Sequence, residues 1–130
     1  MLKSLLKFSR EEGDLYALNK IEQFDAKRMF YVTGVPKGAI RGRHAHKKDK
    51  QLLVCLKGAV KVTLDSGGSP SEFFLSEGKS LFMDSLVWGV QEYTTGEDIL
   101  LVLCSEEHDP EDYITHYFKF LELLKEKTDV

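Results

Sequence analysis

The fold of this chain is decided by the stretch Gly38-Ala-Ile-Arg-Gly-Arg-His44-Ala-His46-Lys-Lys-Asp-Lys-Gln51-Leu-Leu-Val-Cys-Leu-Lys-Gly58. It places His44 and His46 two positions apart in a segment that has strand character. Side chains two positions apart on a strand point to the same face, so both imidazoles are predicted to enter one enclosed space. Paired imidazoles indicate either a metal site or acid–base chemistry near neutral pH.

The spacing of glycine and histidine in this stretch resembles the first sequence motif of the cupins. Five residues separate Gly38 from His44, four separate His46 from Gln51, and six separate Gln51 from Gly58. The resemblance implies a small β-barrel of the jelly-roll type. Metal-binding cupins usually carry a glutamate ligand at the position of Gln51, and an amide cannot supply the anionic oxygen that helps to hold a divalent cation.

The second cupin motif falls at residues 78–89, where the family usually contributes a further histidine ligand. This chain has Trp88 and Gly89 at the corresponding place. Two of the four expected ligands are absent or weakened, so we predict that the protein holds no metal and needs no cofactor. His108 and His116 could supply imidazole, but their positions at the start of and within the predicted terminal helix favour a surface or packing role.

Composition and length indicate one domain. The 130 residues, 42% of them hydrophobic, suffice for one core, so we expect a single cupin domain over 1–130. The 18 basic and 21 acidic residues are interspersed, which argues against nucleic-acid binding. No apolar run has membrane-spanning length, and Cys55 and Cys104 lie in apolar runs without Cys-x-x-Cys spacing. We therefore expect a cytoplasmic protein with free thiols and no membrane partner.

Turn residues separate a series of short apolar and β-branched segments, which predicts an all-β fold. The end of the chain changes to helical spacing. One amphipathic α-helix is predicted at about 110–126, with Asp109 as its N-cap, Pro110 at its first position and Asp112 returning the capping contact. The predicted fold is an all-β, small cupin (jelly-roll) β-barrel with this one C-terminal amphipathic α-helix.

A more restrictive resemblance covers nearly the whole chain. It is to the dTDP-sugar 3,4-ketoisomerases, the WxcM-like (FdtA-like) branch of the cupins. The segments that carry it are residues 30–38, Arg41-Gly-Arg-His-Ala-His-Lys47, Trp88, and residues 111–114 with Phe120-Leu121. The resemblance implies a metal-independent isomerase that moves the carbonyl of dTDP-4-keto-6-deoxyglucose from C4 to C3. It also implies a homodimer, often with exchanged N-terminal strands, that serves the synthesis of 3-amino-deoxysugars for surface polysaccharides.

The catalytic residues predicted from this resemblance are His44, His46 and Tyr31. One imidazole removes the proton from C3 to give an enediol, and a proton is returned at C4. The sequence leaves the base and acid roles of the two histidines unassigned. Tyr31 is predicted to hold or protonate a sugar oxygen, with packing in its strand as the alternative.

Five further residues are predicted to bind the substrate. Arg41 and Arg43 are suited to the pyrophosphate, although regular alternation would point both away from the barrel interior. Lys47 is a weaker candidate for the same role. Gln51 can hydrogen-bond a histidine or a sugar hydroxyl, and Trp88 can form a wall of the sugar pocket or fill the core.

Other functions are compatible with the sequence. A nonenzymatic sugar-nucleotide-binding cupin would keep the barrel and lose the proton-transfer geometry. The segment 83–89 favours this alternative, because relatives commonly have a proline pair before Trp88 and a histidine after it. A metal-dependent cupin enzyme and a 3,5-epimerase, which also removes protons beside the C4 carbonyl, are the remaining alternatives.

Overall fold

The chain folds into two five-stranded sheets that enclose a common core, and a computed structural model describes residues 1–128. Within these residues the strands are β1 (Leu2–Ser4), β2 (Leu6–Arg10), β3 (Gly13–Ala17), β4 (Arg28–Val32), β5 (Ile40–His46), β6 (Gln51–Lys57), β7 (Ala59–Asp65), β8 (Pro70–Ser76), β9 (Lys79–Met83), β10 (Trp88–Tyr93), β11 (Ile99–Cys104) and β12 (Tyr113–Ile114). One sheet has the order β1-β9-β6-β11-β4 and the other β12-β5-β10-β7-β8, with antiparallel neighbours. The predicted all-β jelly roll is confirmed.

The core lies between the two sheets and follows the alternation of the strands. Val60 and Val62 of β7 face Leu100 and Val102 of β11, and all four side chains are at least 97% buried. Alternate residues of a strand point to one face, so neighbouring inward residues of β6, β7, β9 and β11 supply most of this layer. Burial of each such aliphatic side chain stabilises the fold by about 1.5–3 kcal/mol.

The C-terminal segment departs from the helix predicted at 110–126. Asp109 does cap a helix, because it accepts a hydrogen bond from the Glu111 amide at 3.0 Å, but this helix is a single 3₁₀ turn, Pro110–Asp112. The backbone is extended at Tyr113, and the α-helix α1 spans Tyr117–Thr128. The predicted start of the α-helix is therefore wrong.

The edge of strand β5 explains this interruption. Residues 113–114 pair with the end of β5 as strand β12. Asp112 does not return the predicted capping contact, since its carboxylate accepts hydrogen bonds from the amides of Lys48 and Asp49 instead. An unpaired sheet edge leaves backbone groups that need partners, and these tertiary contacts outweigh local helix propensity.

Helix α1 covers the outer face of β5 and β10. Phe120 is fully buried there, and its ring centroid lies 5.8 Å from that of Trp88. Ala45, which alternates with the two histidines of β5, is buried in the same cluster. The helix therefore supports β5 from the side opposite to its imidazoles. In the described part of the chain no helix has the length and apolar character needed to cross a membrane.

The hairpin of β2 and β3 stands apart from both five-stranded sheets. Its apolar side chains Leu6, Phe8 and Leu15 are 47%, 57% and 58% exposed. Tyr16 packs so closely over Gly78 that a Cβ at that glycine would lie 2.6 Å from the ring, which anchors the hairpin on the barrel. A two-stranded hairpin with an exposed apolar face is marginally stable by itself, so this surface is a candidate interface.

Candidate active site

A β-bulge in β5 sets which side chains enter the barrel. His44 pairs with Gly89 of β10, but Gly42 pairs with the very next residue of β10, so Arg43 is the extra residue and has φ = 61°. A bulge shifts the alternation of the strand by one position. Arg41 consequently lines the same cavity as His44. The predicted outward orientation of Arg41, which assumed a regular strand, is wrong.

The two imidazoles of β5 are in contact, as predicted. The ring centroids of His44 and His46 lie 4.9 Å apart, and the planes meet at 88°, edge to face. His44 lines the cavity, whereas His46 is only 3% exposed and lies behind it. The ring of Tyr113 packs against both, at 5.1 Å from His44 and 4.5 Å from His46.

Both ring nitrogens of His46 have partners in the protein. Nδ1 lies 3.2 Å from Oδ2 of Asp112, and Nε2 lies 3.5 Å from the side-chain nitrogen of Gln51. A carboxylate only accepts hydrogen bonds, and the Gln51 nitrogen only donates them. We therefore assign the proton of neutral His46 to Nδ1, with Nε2 as the acceptor.

Burial keeps both imidazoles neutral. It lowers the pKa of His44 below the ordinary value of 6.5, and the neighbouring His46 lowers it further, against a backbone hydrogen bond at Gly42 that raises it. Burial also lowers the pKa of His46, and it outweighs the negative charges of Asp49 and Asp112, which raise it. At pH 7 either imidazole is therefore in the form that can accept a proton.

These lowered pKa values predict how stability depends on pH. Because the folded-state pKa values of His44 and His46 lie below 6.5, the unfolded chain binds more protons at mildly acidic pH. We expect the free energy of unfolding to be greatest above this value and to fall as the pH falls through it. Urea unfolding from about pH 7.5 to about pH 5 measures this loss, which should be smaller in the variant His44→Gln. A free energy that rises on acidification would contradict the assignment.

The cavity in front of His44 has a volume of about 380 Å³. Its lining combines two guanidinium groups, from Arg28 and Arg41, with the amides of Gln51 and Gln91 and an aromatic and aliphatic wall. The wall residues are Phe30, Tyr31, Val32, Leu53, Tyr93, Leu100, Val102 and Tyr113. A small apolar pocket with a few convergent polar and cationic groups is suited to a polar ligand that carries negative charge.

The other predicted site residues lie at different distances from this cavity. Tyr31 is among the residues that line the cavity and is 63% exposed, so it is not packed in the core. Gln51 lies within the lining and also donates to Asp49 Oδ2 at 3.0 Å. Arg43 and Lys47 are exposed and lie outside the lining. The cavity lining thus contains the predicted residues Tyr31, Arg41, His44 and Gln51. His46 contacts His44 and Gln51 from behind, whereas Arg43 and Lys47 are separate from the cavity.

Trp88 is not a wall of the cavity. Its ring meets Tyr117 of α1 at 5.3 Å, edge to face, so it fills the space beneath the helix. Gly89 lies opposite His44 in the sheet, and a Cβ there would be 2.7 Å from Met83 Sδ. Methionine therefore occupies the space that a side chain at this position would need. Among residues 1–128 no three His, Cys, Asp or Glu side chains are grouped so that they could hold a metal ion.

Comparison with known proteins places this arrangement in a family. Residues 1–125 match the model of the family described as FdtA: WxcM-like, C-terminal. The chain belongs to the WxcM-like family. Its match to TDP-4-oxo-6-deoxy-α-D-glucose-3,4-oxoisomerase of Aneurinibacillus thermoaerophilus is 37% identical over 111 residues and covers 83% of this chain and 80% of the relative.

Solved structures of sugar 3,4-ketoisomerases have the same fold. QdtA, a sugar 3,4-ketoisomerase from Thermoanaerobacterium thermosaccharolyticum in complex with TDP, is 33% identical with a TM-score of 0.90, over 98% of this chain and 95% of that chain. A histidine-to-asparagine variant of QdtA in complex with TDP-4-keto-6-deoxyglucose is 32% identical with a TM-score of 0.89. The match covers 97% of this chain and 94% of the QdtA chain. These relatives confirm the predicted family and the predicted isomerase activity.

Sequence reasoning missed several residues of this site, among them Arg28, Tyr93 and Asp112. Arg28 had a usable signal, because it shares the inward phase of β4 with Phe30 and Val32. Tyr93 is the last residue of β10, and the same argument from alternation could have identified it. Asp112 had no such signal, since it contacts a histidine 66 positions earlier in the chain. Only the tertiary structure brings it to the site.

Proposed function

We propose that this protein is a TDP-4-keto-6-deoxyglucose 3,4-ketoisomerase in which His44 carries the proton. The observation that carries this proposal is a cavity-facing imidazole kept neutral by burial, in a pocket lined by Arg28 and Arg41. The relatives support the substrate, since one is named for this oxoisomerisation and another was solved with TDP-4-keto-6-deoxyglucose.

His44 is the proton carrier because His46 is occupied. Both nitrogens of His46 are engaged by Asp112 and Gln51, and its ring is not part of the cavity lining. His44 takes the proton from C3, and the C–H electron pair forms the C3–C4 double bond of an enediolate. The C3 hydroxyl proton passes to the C4 oxygen, and His44 returns a proton to C4, which leaves the carbonyl at C3.

Two tyrosines are placed to assist the sugar oxygens. Burial raises the pKa of Tyr93 to about 12, so its phenol stays protonated in the cavity and can donate a hydrogen bond to the enediolate oxygen. Tyr31, an exposed residue of the cavity lining, can contact the sugar or the nucleotide. Gln51 and Gln91 add amide groups that can bind hydroxyls.

The diphosphate is proposed to bind Arg28 and Arg41. The guanidinium of Arg28 lies 4.9 Å from the centroid of the Phe30 ring, which restricts its orientation. Guanidinium groups match phosphate oxygens in pairs, so two of them in one pocket suit a pyrophosphate. Arg43, Lys47 and Trp88 are left out of this proposed substrate site because of where the structure places them.

The proposal includes a reaction without metal. Gln51 lies where a cupin glutamate ligand is usually found, and Gly89 lies opposite His44 where a histidine is common in relatives. The remaining imidazole and carboxylate, those of His46 and Asp112, are hydrogen-bonded to each other. The proton chemistry at His44 requires only an acid–base group and a partly dehydrated pocket.

Proton NMR of TDP-4-keto-6-deoxyglucose incubated with the protein in deuterated buffer tests the function directly. We expect a 3-keto product with deuterium at C4, formed at the same rate after chelator treatment. An unchanged spectrum, or deuterium at C3 and C5 with the carbonyl still at C4, would contradict the proposal; the second result would indicate an epimerase. A chelator-sensitive rate would contradict its metal independence.

A homodimer is proposed from the exposed apolar face of the β2–β3 hairpin. Phe8→Asp places a charge on this face, so we expect it to convert a dimer of the 14.8 kDa chain to monomer. Phe74→Asp is the matched control, since Phe74 is also exposed, at 63%, but lies on β8. Sedimentation equilibrium measures both masses. A wild-type mass of one chain, or equal dissociation of both variants, would contradict this interface.

We also propose that residues 1–130 form one cupin domain. The location proposed for the protein is the cytoplasm, a reducing compartment. Cys55 and Cys104 are both free and buried. Burial raises the pKa of Cys55 to about 11 and that of Cys104 to about 12, so both remain protonated thiols. Buried, unreactive thiols are ordinary core residues in a reducing compartment.

A further inference from the structure

Asp112 lies behind the histidine pair and makes three hydrogen bonds with its carboxylate. Oδ2 accepts from His46 Nδ1 and from the Asp49 amide, each at 3.2 Å, and Oδ1 accepts from the Lys48 amide at 2.8 Å. The Asp112 residue is only 9% exposed. All three partners must be donors, because a carboxylate has no proton to give. Asp112 therefore joins the connection between β5 and β6 to the ring of His46.

These contacts select one tautomer and one ring orientation for His46. The Nδ1–H of His46 faces Asp112, and its Nε2 faces the side-chain nitrogen of Gln51 at 3.5 Å. Gln51 is itself oriented by a 3.0 Å hydrogen bond to Asp49 Oδ2. A reversed tautomer would put two donors face to face at Gln51 and leave Asp112 without its histidine donor.

The orientation of His46 is passed to His44 by direct contact. Their rings meet edge to face at 4.9 Å, so a rotation of one ring displaces the other. Tyr113, the residue after Asp112, packs against both rings. The segment that holds Asp112 thus forms the back of the whole imidazole pair.

We propose that Asp112 is a positioning residue for the isomerisation, because it holds His46 in the Nδ1–H tautomer and thereby sets the orientation of His44 in the cavity. The link to turnover rests on the proposed function, whereas the tautomer of His46 depends on this chain's contacts alone. Carboxylate–histidine pairs commonly fix tautomer and orientation in this way. Asp112 is not among the residues that line the cavity, and its carboxylate is hydrogen-bonded to His46 and to the amides of Lys48 and Asp49.

Titratable and charged groups face His46 from every element packed against it. They are His44 on β5 itself, Asp49 on the β5–β6 connection, Arg28 on β4, Asp112 of the 3₁₀ turn and Tyr113 of β12. Asp112 and Asp49 raise the pKa of His46, and Arg28 lowers it. Removal of the negative charge at Asp112 is therefore expected to lower the pKa of His46 further.

Asp112→Asn tests the assignment with little change of shape. The amide has one acceptor oxygen and one donor nitrogen in place of two acceptors. An amide nitrogen at the Oδ2 position would face the donors His46 Nδ1–H and the Asp49 amide, and an amide nitrogen at the Oδ1 position would face the Lys48 amide. Either orientation puts two donors face to face and removes the negative charge beside His46, so the preference for the Nδ1–H tautomer weakens. The matched control is Asp109→Asn on the same turn, because the side chain of Asp109 is exposed and accepts from the Glu111 amide, a contact that asparagine retains.

Nitrogen-15 NMR of the histidine rings measures tautomer and pKa without substrate, and steady-state kinetics with TDP-4-keto-6-deoxyglucose measures kcat and KM. In Asp112→Asn we expect a smaller population of the Nδ1–H tautomer of His46, a lower pKa of His46, and a kcat lower by about 10- to 100-fold with KM little changed. Asp109→Asn should match the wild-type protein in all of these.

An Nδ1–H tautomer population and a His46 pKa that are both the same in Asp112→Asn as in the wild-type protein would overturn the assignment, as would an unchanged kcat. A loss of thermal stability alone, with tautomer and kcat retained, would show that Asp112 only holds the β5–β6 connection, and would also overturn it. If the wild-type protein leaves TDP-4-keto-6-deoxyglucose unchanged, the proposed function fails, while the substrate-free NMR comparison still decides whether Asp112 controls His46.

Discussion

His44→Asn is expected to lower kcat by about 10²- to 10⁴-fold and to leave the affinity for TDP largely unchanged, because an asparagine amide fills similar space but cannot accept the proton from C3. The nucleotide is proposed to bind Arg28 and Arg41, which the substitution does not alter. Single-turnover kinetics and calorimetric titration with TDP measure the two quantities separately. This is the largest effect on activity that the structure predicts.

His116→Asn is the matched control for this experiment. His116 is exposed, next to the start of α1, and should give wild-type kcat. Retention of kcat in His44→Asn would contradict the assignment of His44 as the proton carrier. An equal loss of TDP affinity and of kcat would show that His44 binds substrate and would leave the proton transfer to another group.

Phe120→Ala is expected to lower the free energy of unfolding by about 3–5 kcal/mol. Phe120 is fully buried between α1 and the outer face of the β5–β10 sheet, so its removal leaves a cavity against Trp88 and Tyr117. Trp88 is the single tryptophan of the chain, and its fluorescence therefore reports on the docking of the helix. Urea unfolding at a fixed protein concentration, followed by this fluorescence, measures the loss.

Phe118→Ala supplies the comparison. Phe118 lies on the same helix but is 81% exposed, so its removal should change the free energy of unfolding by less than about 0.5 kcal/mol. Similar losses for Phe118→Ala and Phe120→Ala would contradict the described packing. A Trp88 emission that is unaffected by Phe120→Ala would contradict the location of the tryptophan beneath the helix.

Local pattern was sufficient wherever a side chain's environment depends on its own strand. The two-residue spacing of His44 and His46 predicted that they would lie together, and the rings are in contact. The same argument failed for Arg41, because the extra residue Arg43 adopts a positive φ and shifts the alternation. Gly42 beside it was a hint of irregularity, but a glycine alone does not specify where a strand bulges.

Predictions also failed where a segment had to choose between local and tertiary partners. Residues 110–114 carry the capping residues and spacing of a helix, yet only one 3₁₀ turn forms before the chain pairs with β5. A tryptophan such as Trp88 is equally suited to the wall of a ligand pocket and to a core. Because helix α1 covers Trp88, its role here is packing. Neither outcome follows from propensity, since each depends on which distant element is adjacent.

The sequence by itself determined the family, the jelly-roll fold, and the imidazole pair beside Gln51, because these depend on alternation, turn residues and motif spacing along the chain. Only the tertiary structure decided which of the two histidines faces the cavity. His44 faces the cavity and His46 faces Asp112, a contact between residues 66 positions apart. Such contacts are made by the packing of elements that are distant in the chain. The local sequence therefore does not specify which carboxylate a buried histidine contacts.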